Sequence, residues 1–287
     1  MTGTVRKRGS RLPERSDLGN LPKLGLRQRY GGFALVTGAA GGIGRAFANY
    51  LASEGFDLLL VDREASETKA LAEALRAEHQ IQVHAMVCDL TEPGLVENAE
   101  RWAMSYDVGL LINNAGISPL DPFLQIPLDT HLQTLEVNCR ATLVLTHIFG
   151  RTMVARGRGG IVIVSSASAL SGSPYFCHYA ATKGYGLNLA SGLWSELQES
   201  GVDVLAVCPG MTDTQPVRDR DLARERPFYV PLNSPESVAL GALRSLGKQP
   251  IVVPTLADRI SAGLLSKLVP RAWTLAIMKR SIEKMRG

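Results

Sequence analysis

Residues 33–55, FALVTGAAGGIGRAFANYLASEG, decide how the chain folds. A short apolar run from Phe33 breaks into a glycine-dense turn, and the turn opens directly into a stretch with Ala46, Phe47, Tyr50 and Leu51 at helical spacing. A helix that starts straight after a buried strand aims its free backbone N–H groups, and the positive end of its dipole, at whatever lies beyond the strand. That suits a diphosphate. Gly38, Gly42 and Gly44, with Ile43 between the last two, let the backbone come close to such a ligand. The spacing Gly38-x-x-x-Gly42-x-Gly44 nevertheless differs from the G-x-G-x-x-G dinucleotide fingerprint. By itself the turn leaves a nucleotide site and an ordinary tight connection both open.

The rest of the chain repeats the same alternation. A second strand, Asp57 to Val61, ends in Asp62, where a carboxylate can accept from both ribose hydroxyls of an adenosine; Arg63 follows at once. After a helix over about 66–78, the stretch IQVHAMVCDL predicts a third strand closing on Asp89 and Leu90, near an adenine. A fourth helix and the strand Gly109 to Ile112 deliver Asn113-Asn114-Ala115-Gly116. A long helical segment over about 128–156 carries Asn138 in its interior, although asparagine is a mediocre helix former. The strand Val202 to Val207 runs out into Pro209-Gly210-Met211-Thr212-Asp213-Thr214. From 215 to about 233 the chain is charged and aperiodic except for Phe228 and Tyr229, which reads as a mobile lid. Ser234-Pro235-Glu236-Ser237 predicts a helix start, and Ile251 to Val253 a last strand. Alternating strand and helix is the signature of a parallel sheet covered on both faces, with ligands gathered at the carboxyl ends of the strands.

One strand end carries residues suited to proton chemistry. Ile161 to Val164 runs into SSASALSGSPYFCHYAATK, residues 165–183. Tyr179 and Lys183 are four apart, so on a helix they share one face, and Ser166 lies thirteen residues before Tyr179. A phenol titrates near 10, and using it near neutrality means lowering that by about 3 units, or about 4 kcal/mol. One positive charge roughly 4 Å away supplies about that much at an effective dielectric near 20. Such a pair also occurs as solvated helix surface, and His178 beside it reads as a neighbour rather than a ligand.

Composition bounds the alternatives. At 287 residues and 45% hydrophobic, the chain fits one large domain over 31–254, flanked by a basic, flexible extension over 1–30 and an apolar, basic tail over 255–287. Thirty-one basic against 27 acidic residues leave +4, too little to make nucleic acid the expected partner. Cys88, Cys139, Cys177 and Cys208 are widely spaced and the five histidines scattered, so no metal site is expected and a reducing, cytoplasmic setting is. No apolar run approaches the ~20 residues that span a bilayer. The tail interleaves Leu264, Leu268, Trp273 and Ile277 with Lys267, Arg271, Lys279 and Arg280, and Pro270 divides two short helices. It can pack on its own domain or a sister subunit, or rest on an anionic membrane surface.

Taken together these residues resemble the classical short-chain dehydrogenase/reductase family over roughly Gly32 to Pro254. Thr37-Gly38-x-x-x-Gly42-x-Gly44 is similar to that family's cofactor turn, Asn113 to Gly116 to its sheet-stabilising motif, Tyr179-x-x-x-Lys183 to its active-site helix, and Pro209-Gly210-x-x-x-Thr214 to the segment holding the nicotinamide. Asn138 and Ser166 fall where the family keeps its other catalytic residues. The resemblance implies a Rossmann-type, three-layer α/β/α fold with a helical C-terminal extension. It implies hydride transfer between a nicotinamide and an alcohol or carbonyl carbon. Tyr179 would act as general acid or base, Lys183 would lower its pKa and hold the ribose, Ser166 would bind the substrate oxygen, and Asn138 would anchor a relay water. Gly38, Gly42, Ile43, Gly44, Asp62, Arg63, Asp89, Leu90, Asn114, Ala115, Gly116, Pro209, Gly210, Thr212 and Thr214 would bind the cofactor, with Tyr179 and Lys183. An acid at Asp62 favours NAD, while Arg63 beside it keeps NADP in view. Leu170, Tyr175, Phe176, Met211, Phe228 and Tyr229 would line a pocket for a hydrophobic secondary alcohol or ketone. An NADPH-dependent ketone or 3-oxoacyl reductase is the alternative, and a catalytically idle NAD(P)-binding scaffold or redox sensor the non-enzymatic one. Pairing of the helices over about 128–156 and 178–200 would give a homodimer or homotetramer.

Overall fold

A computed structural model describes residues 23–222, 230–256, 258–259 and 270–286. Seven parallel strands form one sheet in the order β3-β2-β1-β4-β5-β6-β7. They are β1 (Phe33–Thr37), β2 (Asp57–Asp62), β3 (Val83–Val87), β4 (Val108–Asn113), β5 (Gly159–Val164), β6 (Val202–Val207) and β7 (Ile251–Val252). The order reverses between β1 and β4, and a crevice opens there because the crossovers leave β1 and β4 on opposite sides. All seven strands read from the sequence are present.

Ten helices are described: α1 (Leu26–Tyr30), α2 (Gly42–Ser53), α3 (Ala65–His79), α4 (Leu95–Ser105), α5 (Leu128–Leu135), α6 (Ala141–Arg156), α7 (Cys177–Leu197), α8 (Gln215–Asp219), α9 (Pro235–Ser245) and α10 (Arg271–Arg286). Alternation along the strands builds two cores. Val36, Leu58 and Leu60 face Phe47 and Leu51 of α2 and Val238 and Leu243 of α9. The intervening Leu35, Leu59 and Val61 face the other way, into a core with Trp102, Phe149, Met153 and Leu187 from α4, α6 and α7. Burial on both faces is why these strands read as nearly unbroken apolar runs.

The structure corrects the amino-terminal boundary. Within the stretch read as a flexible extension, residues 1–22 lie outside the described residues, but Leu26 and Tyr30 are 5% and 1% exposed. Glu54, at the end of α2, accepts from the N–H groups of Leu24 (2.7 Å) and Leu26 (3.1 Å). The Tyr30 hydroxyl donates to Asp203 at 2.8 Å. A two-residue apolar signal is too short to show periodicity, so the sequence hid this helix. The long helix through Asn138 is real, but a π-helical turn over Glu136–Arg140 separates α5 from α6. Such turns widen a helix by one residue and cluster at functional sites. The aperiodic segment after β6 begins with the short α8, and α9 starts as read, with the Ser234 hydroxyl accepting from Ser237 N–H at 3.1 Å.

Candidate active site

The carboxyl ends of β1, β4, β5 and β6 surround a single cleft of about 630 Å³. Its floor at one end is the glycine turn. Gly38 has φ of 62°, which favours glycine, and a Cβ there would stand 2.9 Å from Asn114 Nδ2 and 3.0 Å from Ala115 Cα. At Gly44 a Cβ would overlap the Gly38 carbonyl, so turn and helix can touch only without a side chain. Asn114 braces the turn: its Nδ2 donates to the carbonyls of Thr37 (2.9 Å) and Gly38 (3.2 Å), while Thr37 Oγ1 accepts from the N–H groups of Asn114 and Ala115 at 3.0 Å each. No side chain caps α2, so its first N–H groups face the cleft together with Gly38, Gly42 and Ile43. This is a cradle for an anion, and a dinucleotide diphosphate fits it by both shape and charge.

Asp62 Oδ2 accepts from Ala40 N–H at 2.9 Å and Oδ1 from Glu64 N–H at 3.2 Å, so the carboxylate already braces the turn beside it. Arg63 is exposed and paired with Glu64 at 3.2 Å. Asp89 accepts from the Thr91 N–H and hydroxyl at 2.9 and 2.8 Å, which holds it below the usual carboxylate range. Asp62, Arg63, Asp89 and Leu90 lie outside the cleft lining, and Leu90 is buried at 7%.

Ser166, Tyr179 and Lys183 line the cleft together with Asn114, Ala115, Gly116, Pro209, Gly210, Met211, Thr212 and Thr214. Ser166 Oγ accepts from Ser168 N–H (3.2 Å) and Ser168 Oγ (2.9 Å), and its own hydroxyl proton faces the Tyr179 phenol. Lys183 is 7% exposed and donates to the Val164 carbonyl at 2.8 Å; burial lowers it to about 8. Its Nζ lies 5.8 Å from the Tyr179 ring centroid. Burial raises the Tyr179 pKa, and a hydrogen bond with Ser166 works against that rise. Burial is the largest influence on each group, raising the phenol and lowering the ammonium.

Asn138 stands behind Lys183, outside the lining. Its Oδ1 accepts from Ile117 N–H at 2.9 Å, and its Nδ2 donates to the Ile117 carbonyl at 3.0 Å and Thr182 Oγ1 at 2.9 Å. Both amide hydrogens are used, so the side chain straps the loop after β4 to α7. Asn138 lies within the π turn.

The far end of the cleft is apolar. Leu170 and Phe176 line it as read, with Leu222 and Val230. Tyr175 does not; its φ is 63° and its hydroxyl donates to Glu283 at 2.6 Å. Phe228 and Tyr229 lie outside the described residues. The wall that the sequence reading missed is α10, which contributes Thr274, Ile277, Met278, Ser281 and Ile282, with Thr274 and Ile282 buried. Its 3.6-residue spacing was visible, but nothing in it says which surface it covers. Ser118, Ser168, Arg220 and Asp258 also line the cleft and were not anticipated.

A doubly wound sheet with an anion cradle at its switch point, and with a serine, a tyrosine and a lysine converging above it, defines a dinucleotide-dependent oxidoreductase. The short chain dehydrogenase family model matches residues 32–225. The chain is 33% identical over 258 residues to a very-long-chain 3-oxoacyl-CoA reductase-like protein of Arabidopsis thaliana, covering 87% of this chain and 82% of that one. It is 28% identical over 274 residues to a protein of Rattus norvegicus described as an inactive hydroxysteroid dehydrogenase-like protein, covering 92% and 82%. Among solved structures, a short-chain dehydrogenase of Sphingobium yanoikuyae in complex with NADPH superposes with a TM-score of 0.73 at 30% identity, over 83% of this chain and 96% of that one. The protein belongs to the short-chain dehydrogenase family and is an NAD(P)-dependent oxidoreductase acting on alcohol or carbonyl groups.

Proposed function

We propose that the protein interconverts a hydrophobic ketone and its secondary alcohol, and that Ser166, Tyr179 and Lys183 carry the proton chemistry. The observation behind this reading is one cleft whose polar end holds these three residues beside the glycine turn and whose other end is walled by Ile277, Met278 and Ile282. A nicotinamide supplies or takes the hydride when bound. Ser166 turns its hydroxyl to hydrogen-bond the substrate oxygen and keeps its own proton. Tyr179 gives its proton to that oxygen as negative charge develops there. Lys183 returns a proton toward the phenol, and the Asn138 strap holds the Lys183 helix in register. The complete set also argues against an idle scaffold, since binding alone needs no tyrosine.

We assign NAD as the favoured cofactor, because the Asp62 carboxylate beside the turn would repel a 2′-phosphate by about 4 kcal/mol at roughly 4 Å and an effective dielectric near 20. Reduction with NADPH is the second reading, supported by the exposed Arg63 and by the Sphingobium neighbour solved with NADPH. Leu128, Leu132, Leu135 and Leu143 are 70%, 49%, 42% and 47% exposed along α5 and α6, and this stripe supports a homodimer, checked by sedimentation velocity. The four free cysteines support a cytoplasmic setting. Trp273, 70% exposed on the helix that also carries the exposed Lys279 and Arg280, supports peripheral contact with an anionic membrane, checked by vesicle flotation. No helix among the described residues is long and apolar enough to cross one.

Turnover of a panel of bulky apolar ketones with each reduced cofactor tests the assignment. Tyr179→Phe is expected to lower kcat by about 10²–10⁴ while cofactor affinity stays within about twofold. Near-normal turnover in that variant would remove Tyr179 from the mechanism.

A further inference from the structure

Asp258 sits at the start of the tail, 3% exposed, on the wall of the cleft. Its Oδ2 accepts from Gly210 N–H at 3.2 Å, Asn233 Nδ2 at 2.8 Å and Thr255 Oγ1 at 2.8 Å. Asn233 in turn donates from Nδ2 and from its backbone to the Met211 carbonyl, at 3.0 and 2.9 Å, and its carbonyl accepts from Asp213 N–H at 2.9 Å. Three stretches distant in sequence therefore meet at one carboxylate: the strand-end segment 209–214, the return of the chain at 233, and the beginning of the tail.

Gly210 explains why the contact is so close. A Cβ built there would lie 2.7 Å from Asp258 Cγ, and the Gly210 φ is not positive, so space rather than backbone conformation is what a side chain would lack. The glycine that the sequence associates with the nicotinamide is shaped here to admit a carboxylate. Burial pushes the Asp258 carboxyl up, while the three donors act against that rise. A buried carboxylate is retained at such a cost only where its partners hold it firmly.

We propose that Asp258 is a positioning residue for the nicotinamide side of the site: it fixes segment 210–214 in the form that receives the cofactor and ties that form to the tail that walls the substrate pocket. The inference rests on the reading that 209–214 faces the nicotinamide. Asp258→Ala is expected to raise the dissociation constant for the preferred reduced cofactor about tenfold, measured by nicotinamide fluorescence. At saturating cofactor kcat stays within about threefold of wild type, because Ser166, Tyr179 and Lys183 are untouched. Gly210→Ala should weaken binding to a similar degree by expelling the same carboxylate. The double variant Gly210→Ala, Asp258→Ala should then bind no worse than Asp258→Ala alone, whereas independent effects would multiply to about 100-fold. Asp258→Asn, which keeps an acceptor oxygen, should bind within about threefold of wild type. If Asp258→Ala does not fold, Thr255→Val removes one donor and is expected to raise the constant two- to threefold. A dissociation constant unchanged within twofold in a folded Asp258→Ala, or multiplicative effects in the double variant, overturns the proposal. Failure of wild type to bind either nicotinamide cofactor would instead sink the functional reading beneath it.

Discussion

Replacing Asn138 by alanine isolates the strap behind Lys183. The residue is 4% exposed and makes three side-chain hydrogen bonds of 2.9, 3.0 and 2.9 Å. A net contribution of about 1 kcal/mol each gives about 3 kcal/mol, and stranding the Ile117 N–H and carbonyl adds to it to the extent that water cannot reach them. Ile117 is partly exposed, which keeps the total near the lower value. For a domain of this size about 3 kcal/mol corresponds to a fall in Tm of roughly 6–10 °C. Thermal unfolding followed by circular dichroism reads the Tm, and urea unfolding reads whether the m-value is unchanged, so that the loss can be assigned to the native state. Catalysis should fall as well, because the loop after β4 and the helix bearing Tyr179 are no longer tied. A Tm loss below about 2 °C would mean that the strap contributes little and that the π turn exists for another reason.

Gly44→Ala places a methyl group in the Gly38 carbonyl and should destabilise the chain by several kcal/mol and abolish cofactor binding, as calorimetry would show. Lys183→Met removes a group that burial holds at about 8 instead of 10.5. Between these values the unfolded chain binds the proton and the native one does not, so wild type should gain on the variant as pH rises from about 8 to 10.5, by up to about 1.4 kcal/mol per unit. Unfolding free energies at several pH values would expose a flat difference and refute this. Ile282→Glu, at a buried position in the cleft wall, should raise KM for an apolar ketone about tenfold or more and leave the cofactor KM within about twofold. Equal change in both would place α10 outside the substrate pocket.

Local signals carried most of this architecture. Most strands announced themselves by a β-branched or leucine-rich run, and Ser166, Tyr179 and Lys183 by fixed offsets from one strand end. What stayed hidden depends on contacts between distant segments. Asp258 and Asn233 are ordinary polar residues in the sequence and acquire meaning only through bonds to Gly210 and Met211. Tyr175 looked like a pocket aromatic, yet its left-handed backbone sends its hydroxyl to Glu283. Helical spacing places Tyr179 one turn from Lys183 but does not show that Lys183 is buried, which lowers its pKa to about 8.

The docking of α1 bears on where this chain can be shortened. A truncated form starting at residue 32, where the family match begins, would keep every strand and still lose Leu24, Leu26 and Tyr30. Glu54, 8% exposed in the full chain, would lose two N–H donors and the segment that covers it, and Asp203 would lose its phenolic partner. The smallest piece that looks complete by alignment is thus poorer than one beginning eight or nine residues earlier, and a library screened on the shorter form would inherit its fragility.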